Sequence, residues 1–181
     1  MTGRDVQSRY FPRSSAKAGS VISLHSAIPD AIRDFRGDPW RHQRTLLTPR
    51  TRMSSFLSAL FNIFPVEQAV ASTDQVVFQP DNVLGLLAKR ELRPEDHWGF
   101  CVSASGASDA AALLAAMLTD WIDFVFVPSP ASFAVYADHD EYLTLYTPSQ
   151  SDLDLLVTDI EAHGFSFVPD YVRPSMGQIW R

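Results

Sequence analysis

An α+β fold is what this sequence predicts, and three observations carry the prediction. Residues 97–181 read as strand, helix, strand, strand, helix, strand. Two stretches in that span repeat apolar residues at helical spacing, each with capping residues at its start. The pieces between them alternate apolar and polar residues and are cut by proline or polar turns. Together these give a ferredoxin-like (βαββαβ) C-terminal domain over 97–181. Residues 21–96 then form an α-rich N-terminal region packed on it, and residues 1–20 a flexible tail.

The first strand is expected where Trp98, Phe100, Val102 and Ala104 alternate with Gly99, Cys101 and Ser103. Ser105-Gly106-Ala107-Ser108 breaks that period. Ala110, Leu113, Leu114, Met117, Leu118 and Trp121 then fall on a single stripe of an alanine-rich helix. Ile122 to Val127 is apolar but runs into Pro128 and Pro130, which remove ladder donors. Phe133 to Ala137 is therefore the expected second strand, with Phe124 to Val127 its lead-in or a separate edge piece. Asp138-His139-Asp140-Glu141 is a polar turn, and Tyr142 to Thr147 completes a hairpin.

Ser151 and Asp154 make a capping arrangement for the second helix, whose stripe is Leu153, Leu156, Val157 and Ile160. His163 falls in its last turn and Gly164 at the left-handed C-cap position. Phe165 and Phe167 begin a last strand that stops at Pro169. Leu113, Leu114, Leu118, Leu156, Val157, Ile160, Phe100, Val102, Phe133 and Phe165 should share one core.

In the N-terminal region, Ser26 caps a short helix through Pro29 to Arg36, with Ile28, Ile32 and Phe35 on one face. Gly37 to Arg52 is basic and irregular. A helix runs from Ser54 or Ser55 to Phe64, Val76 to Phe78 is a short strand, and Asp81 starts a helix ending near Lys89 and Arg90. Arg93-Pro94-Glu95-Asp96 marks the boundary between the two halves.

Charge divides the chain more sharply than its net value of −6 suggests. Residues 1–52 carry +6, whereas residues 97–181 hold two arginines against eleven carboxylates, a balance of −9. Such asymmetry means that the two ends lie against each other or that each meets a different partner. The single cysteine, Cys101, excludes an internal disulfide and a paired-cysteine metal site. A reducing, cytoplasmic setting follows as the default. Neither a secretory apolar core nor a membrane-length apolar stretch occurs.

Chemistry is harder to find. Asp138, His139, Asp140 and Glu141 bring four ligand-type side chains to one turn, but successive residues point to opposite faces and no second histidine is suitably spaced. Catalysis by Cys101 would need a base such as His97 or His139, while a lone cysteine in an apolar strand is commonly a small buried hydrophobe. Ser103, Ser105 and Ser108 lack the context of a nucleophile elbow, and no phosphate-binding glycine motif occurs. No catalytic residue, metal or cofactor is therefore expected. An aromatic sheet in a half carrying −9 disfavours nucleic acid.

Period-two alternation singles out one surface. If Phe100, Val102, Phe133, Val135, Leu143 and Leu145 meet the helices, then Tyr136, Tyr142 and Tyr146 share the opposite face with Cys101, Ser103, Ala134 and Thr144. Those tyrosines lie next to the acidic turn. Either the N-terminal half covers this face, or Tyr136, Asp138, Asp140, Glu141, Tyr142 and Tyr146 bind a partner. The first functional reading is a non-enzymatic acidic module for a basic protein partner, in its sharper form an immunity-type or antitoxin-type inhibitor of a basic effector. The alternative is a small enzyme or small-molecule sensor, with a hydrolase-like site around His139, Asp138 and Asp140 or around Cys101.

Overall fold

The computed structural model describes residues 22–38, 40–95 and 99–173. Its strands form one antiparallel sheet: β1 (Ile22–His25), β2 (His42–Leu47), β3 (Gln68–Gln75), β4 (Cys101–Ser105), β5 (Asp123–Ser129), β6 (Ala134–Ala137) and β7 (Tyr142–Thr147). Their spatial order is β1-β4-β3-β5-β6-β7-β2. The helices are α1 (Asp30–Gly37), α2 (Met53–Ile63), α3 (Asp81–Ala88), α4 (Ala107–Thr119) and α5 (Gln150–Ala162). The main core joins Phe56 and Leu60 of α2, Val83 and Leu87 of α3, Leu113 and Leu114 of α4, and Leu156 and Ile160 of α5 to Val102, Phe124, Phe126, Val135, Leu143 and Leu145 of the sheet. Among the described helices, α1 alone lies on the other face. There Ala31, Ile32 and Phe35 pack on Val70, Val125, Val127, Ala134, Tyr136 and Tyr146.

The protein is a mixed α+β structure, but the ferredoxin-like arrangement expected over 97–181 is not confirmed. Such an arrangement would set β4 beside strands of its own half, whereas β4 pairs with β1 and β3. The N-terminal region supplies three strands of the same sheet, and β3 sits between β4 and β5. Phe124 to Val127, expected as a lead-in or edge piece, lies in a central strand, Asp123–Ser129, flanked by β3 and β6. Pro128 is tolerated because pairing with β6 ends at Phe126, leaving only β3 alongside the proline. The expected last strand shrinks to one bridge, Leu46 to Phe167, with Val168 N–H donating to Thr45 O at 2.7 Å. That segment covers part of the β2 edge, which would otherwise offer unpaired backbone groups.

Smaller differences have local causes. The cap of α5 is Ser149, which accepts from Asp152 N–H at 3.2 Å, two residues before the expected Ser151. Val157 is half-buried outside the main core, and Phe165 packs at its margin. No strand forms at Val76–Phe78; the strand is Gln68–Gln75 just before it. Ile28 precedes α1 and is 42% exposed. Asp81 is the first residue of α3, but its amides are capped from across the fold: Asp120 accepts from Asn82 N–H at 3.0 Å and Val83 N–H at 2.7 Å. Gly164 has φ +78°, as a C-cap glycine should, and Arg52 donates to its carbonyl at 3.1 Å and to that of His163. The Arg93–Asp96 stretch joins α3 to β4, and strands on both sides of it belong to one sheet; Asp96, His97 and Trp98 lie outside the described residues, as do 1–21.

Candidate functional site

Among the described residues, the face away from the four helices carries Thr45, Ser72, Asp123, Thr144 and Arg173 as buried polar groups, and the β6–β7 hairpin organises several of them. Asp138 N–H donates to Tyr142 O at 3.0 Å, closing the turn. Asp138 Oδ1 then accepts from the amides of Asp140 at 3.1 Å and Tyr142 at 3.0 Å. A short polar side chain that bonds backbone two and four residues on suits such a turn. Glu141 adopts φ 72°, the left-handed conformation that side chains rarely take, and its carbonyl accepts from Thr48 N–H at 2.7 Å.

His139 is pulled back onto the start of β5. Its backbone N–H and its Nδ1 both donate to Asp123 Oδ1 at 2.7 Å, and Asp123 is buried. The bond to Asp123 raises the His139 pKa above its ordinary value, partly offset by burial, with the charges of Asp123, Asp140 and Asp138 adding to the rise. On the far side of the ring, Nε2 lies 3.8 Å from Asp140 Oδ1, so both imidazole nitrogens face carboxylates.

Residues 171–173 form a strap across β7 and β2. Tyr171 stacks on Tyr142 with centroids 5.2 Å apart and planes within 6°. Arg173 is 6% exposed. Its Nη2 donates to Asp138 Oδ2 at 2.6 Å and its Nε to Thr144 Oγ1 at 3.0 Å, while its guanidinium lies 4.5 Å from the Tyr136 ring centroid. Gln43 clamps the strap's backbone: Oε1 accepts from Arg173 N–H at 3.1 Å, and Nε2 donates to Arg173 O at 3.4 Å. Thr144 is held in turn by Thr45, hydroxyl to hydroxyl at 2.8 Å.

A second cation reaches this face from α1. Arg36 donates to Asp74 at 2.9 Å and to Ser72 Oγ at 3.1 Å. Asp74 is the extra residue where register slips between Thr73 and Gln75, and such a bulge re-aims a side chain. Burial pushes its carboxyl up to about 7, against the pull of Arg36 and with that of Asp123. Tyr136 is held protonated well above the usual phenol range, first by burial and then by Asp123, Asp74 and Asp138, with Arg173 opposing.

Of the six residues the sequence points to as a partner surface, three reach solvent. Asp140 and Glu141 are exposed, and Tyr142 is half-buried. Tyr136 and Tyr146 are each 2% exposed, Tyr146 edge-on to Phe35 at 5.3 Å, so α1 and the strap cover this part of the face. The Asp138 side chain is 13% exposed beneath Arg173. Arg173, Gln43, Asp123, Asp74 and Arg36 were not singled out by sequence. The only signal for Arg173 is that it is one of two arginines in the acidic half.

Cys101 is buried, and its thiol donates to Ser72 Oγ at 3.3 Å. It faces His25 across the β1–β4 ladder, but His25 Nε2 bonds Ser103 Oγ at 2.8 Å, and burial lowers the His25 pKa. Among the described residues, no three His, Cys, Asp or Glu side chains converge as a metal-holding group, and no helix is long and apolar enough to cross a membrane. In comparisons with known proteins, no family model, no curated protein and no solved structure matches this chain.

Proposed function

We propose that this protein is a non-enzymatic, acidic protein-binding module that meets a basic partner at the tip of the β6–β7 hairpin. Its sharper form is an immunity-type or antitoxin-type inhibitor that masks a cationic effector in a reducing, cytoplasmic setting. One observation carries the reading. The turn keeps Asp138 and His139 inward against Arg173 and Asp123, and leaves Asp140, with its side chain 77% exposed, and Glu141 at the surface. Beside them lie the Tyr142–Tyr171 stack, Leu47 opposite Tyr142 in register and 57% exposed, and Val172, 70% exposed. An apolar and aromatic centre with a charged rim is the build of a recognition surface, and the −9 balance of residues 97–181 selects a basic partner.

The competing reading, a small enzyme or sensor, draws on the Cys101–His25 pairing and on the His139–Asp123 contact. Paired capture separates the two. Wild type and an Asp140→Lys, Glu141→Lys, Tyr142→Ala variant serve as baits in lysate of the native host, compared by quantitative mass spectrometry. The binding reading expects a basic protein retained by wild type and lost by the variant. A turnover that disappears on Cys101→Ser, or stoichiometric zinc or manganese held through Asp138, His139 or Asp140, replaces it with the enzyme reading.

A further inference from the structure

We propose that Gln43, Tyr136, Asp138 and Thr144 form a recognition pocket for an arginine carried on an extended segment of a partner protein, and that the chain's own Arg173 occupies this pocket in cis. The protein-binding reading supplies the class of ligand; the pocket itself rests on its own geometry.

Three features distinguish it from a chance surface ion pair. The Gln43 amide bonds both the N–H and the C=O of one residue, as a neighbouring strand would, so it recognises extended backbone without regard to side chain. The side chain is then read three ways at once: a carboxylate on Nη2, a hydroxyl on Nε and a ring face under the guanidinium. That set fits a planar, forked cation and wastes two of its contacts on a lysine ammonium. Finally, the pocket residues belong to β2, β6, β7 and the hairpin turn they frame, whereas the occupant is a strap without secondary structure.

Among the described residues of the strap, Val172 is exposed and Tyr171 half-buried, so exchange of residues 171–173 for another Arg-bearing segment gives up the pocket contacts and the tyrosine stack. The tether gives Arg173 an effective concentration on the order of millimolar, so a competitor must add contacts of its own. Asp140, Glu141 and Leu47, next to the pocket, are where a basic partner would find them. The strap thus acts as an autoinhibitory plug that admits only partners engaging the rim as well.

The test uses the full-length chain and a synthetic acetyl-Asp-Tyr-Val-Arg-amide peptide, with its Arg→Lys analogue as control. Arg173→Ala should bind the arginine peptide at least tenfold more tightly than wild type and at least tenfold more tightly than it binds the lysine peptide. Adding Asp138→Asn, which keeps the Oδ1 acceptor for the turn amides, or Gln43→Ala should remove that gain. In wild type, peptide in millimolar excess should shift the Arg173 Nε–H resonance, a readout that needs no variant. An Arg173→Ala chain that melts like wild type yet binds both peptides equally, or no better than wild type does, overturns the pocket. So does an Arg173 resonance that is unmoved by peptide. A partner that depends on Asp140 and Glu141 but is indifferent to Arg173→Ala defeats the pocket and leaves the proposed function standing. Peptide capture by Arg173→Ala, with no partner dependent on the rim, supports the pocket and defeats the proposed function.

Discussion

Asp74 is a buried carboxylate beside Arg36, and burial outweighs the ion pair, pushing its pKa up to about 7 from an ordinary 3.8. The folded state therefore binds this proton more tightly than the unfolded chain does. Its contribution to stability is complete below about pH 4 and is lost as pH rises through about 7. Asp74→Asn cannot titrate, so its urea midpoint should gain on that of wild type between pH 4 and pH 8. A midpoint difference independent of pH would show that Asp74 ionises normally. His139 acts in the same direction, because the Asp123 bond raises its pKa. Its stabilisation is full below its ordinary value of 6.5 and fades as pH rises through the raised one, so His139→Gln should cost more at pH 5.5 than at pH 8.5. Equal costs at the two pH values would mean that the imidazole is not held as a cation. The pairs that bind the inner site together are distant in sequence: Arg36 and Asp74 are 38 residues apart, and Gln43 and Arg173 are 130 apart. Local periodicity carries no signal for such pairs, which is why the inner half of the site escaped the sequence while the turn and its tyrosines did not.

At the scale of elements, legibility followed side-chain patterning. Helices α4 and α5 each bury a single side, so their period of three to four survives in the sequence. The β6–β7 hairpin, by contrast, is buried on both faces and was legible through its alternation of aliphatic residues with tyrosine and threonine around a polar turn. In β3, Ala69 to Thr73 are buried without a break between the two layers, and a run of small residues shows no alternation. In β2 only Thr45 and Leu46 are buried, and its polar residues read as loop. β5 is buried throughout, and Pro128 looked like its end. Those three strands, together with β1, are the ones the ferredoxin-like expectation lacked or misplaced. The stripe of α5 tests the core that was legible. Leu156 is fully buried among the four-helix side chains, so Leu156→Ala should destabilise by roughly 2–5 kcal/mol in urea or thermal unfolding. A cost below about 0.5 kcal/mol, small beside ordinary leucine truncations, would contradict that packing.

At the scale of the whole molecule, the strands among the described residues share a single sheet that places the acidic, aromatic hairpin tip next to the strap of residues 171–173. Among the described residues, Arg50 lies over the Trp121 ring and within electrostatic reach of Glu141, and Arg52 lies over the Phe165 ring, while Asp140 and Glu141 are exposed. Rim charges steer encounter within a screening length of about 8 Å at physiological salt, and apolar centres hold the complex. Tyr142→Ala should accordingly weaken binding by about 2 kcal/mol or more, chiefly through faster dissociation, as loss of a central aromatic anchor does. The most direct measurement is the association rate constant of the captured basic partner, by stopped flow at low and physiological salt, for wild type and for Asp140→Lys with Glu141→Lys. The account predicts a wild-type rate that falls steeply with salt and a variant that associates more slowly with little salt dependence. Equal rates and equal affinities at both salt concentrations would contradict it.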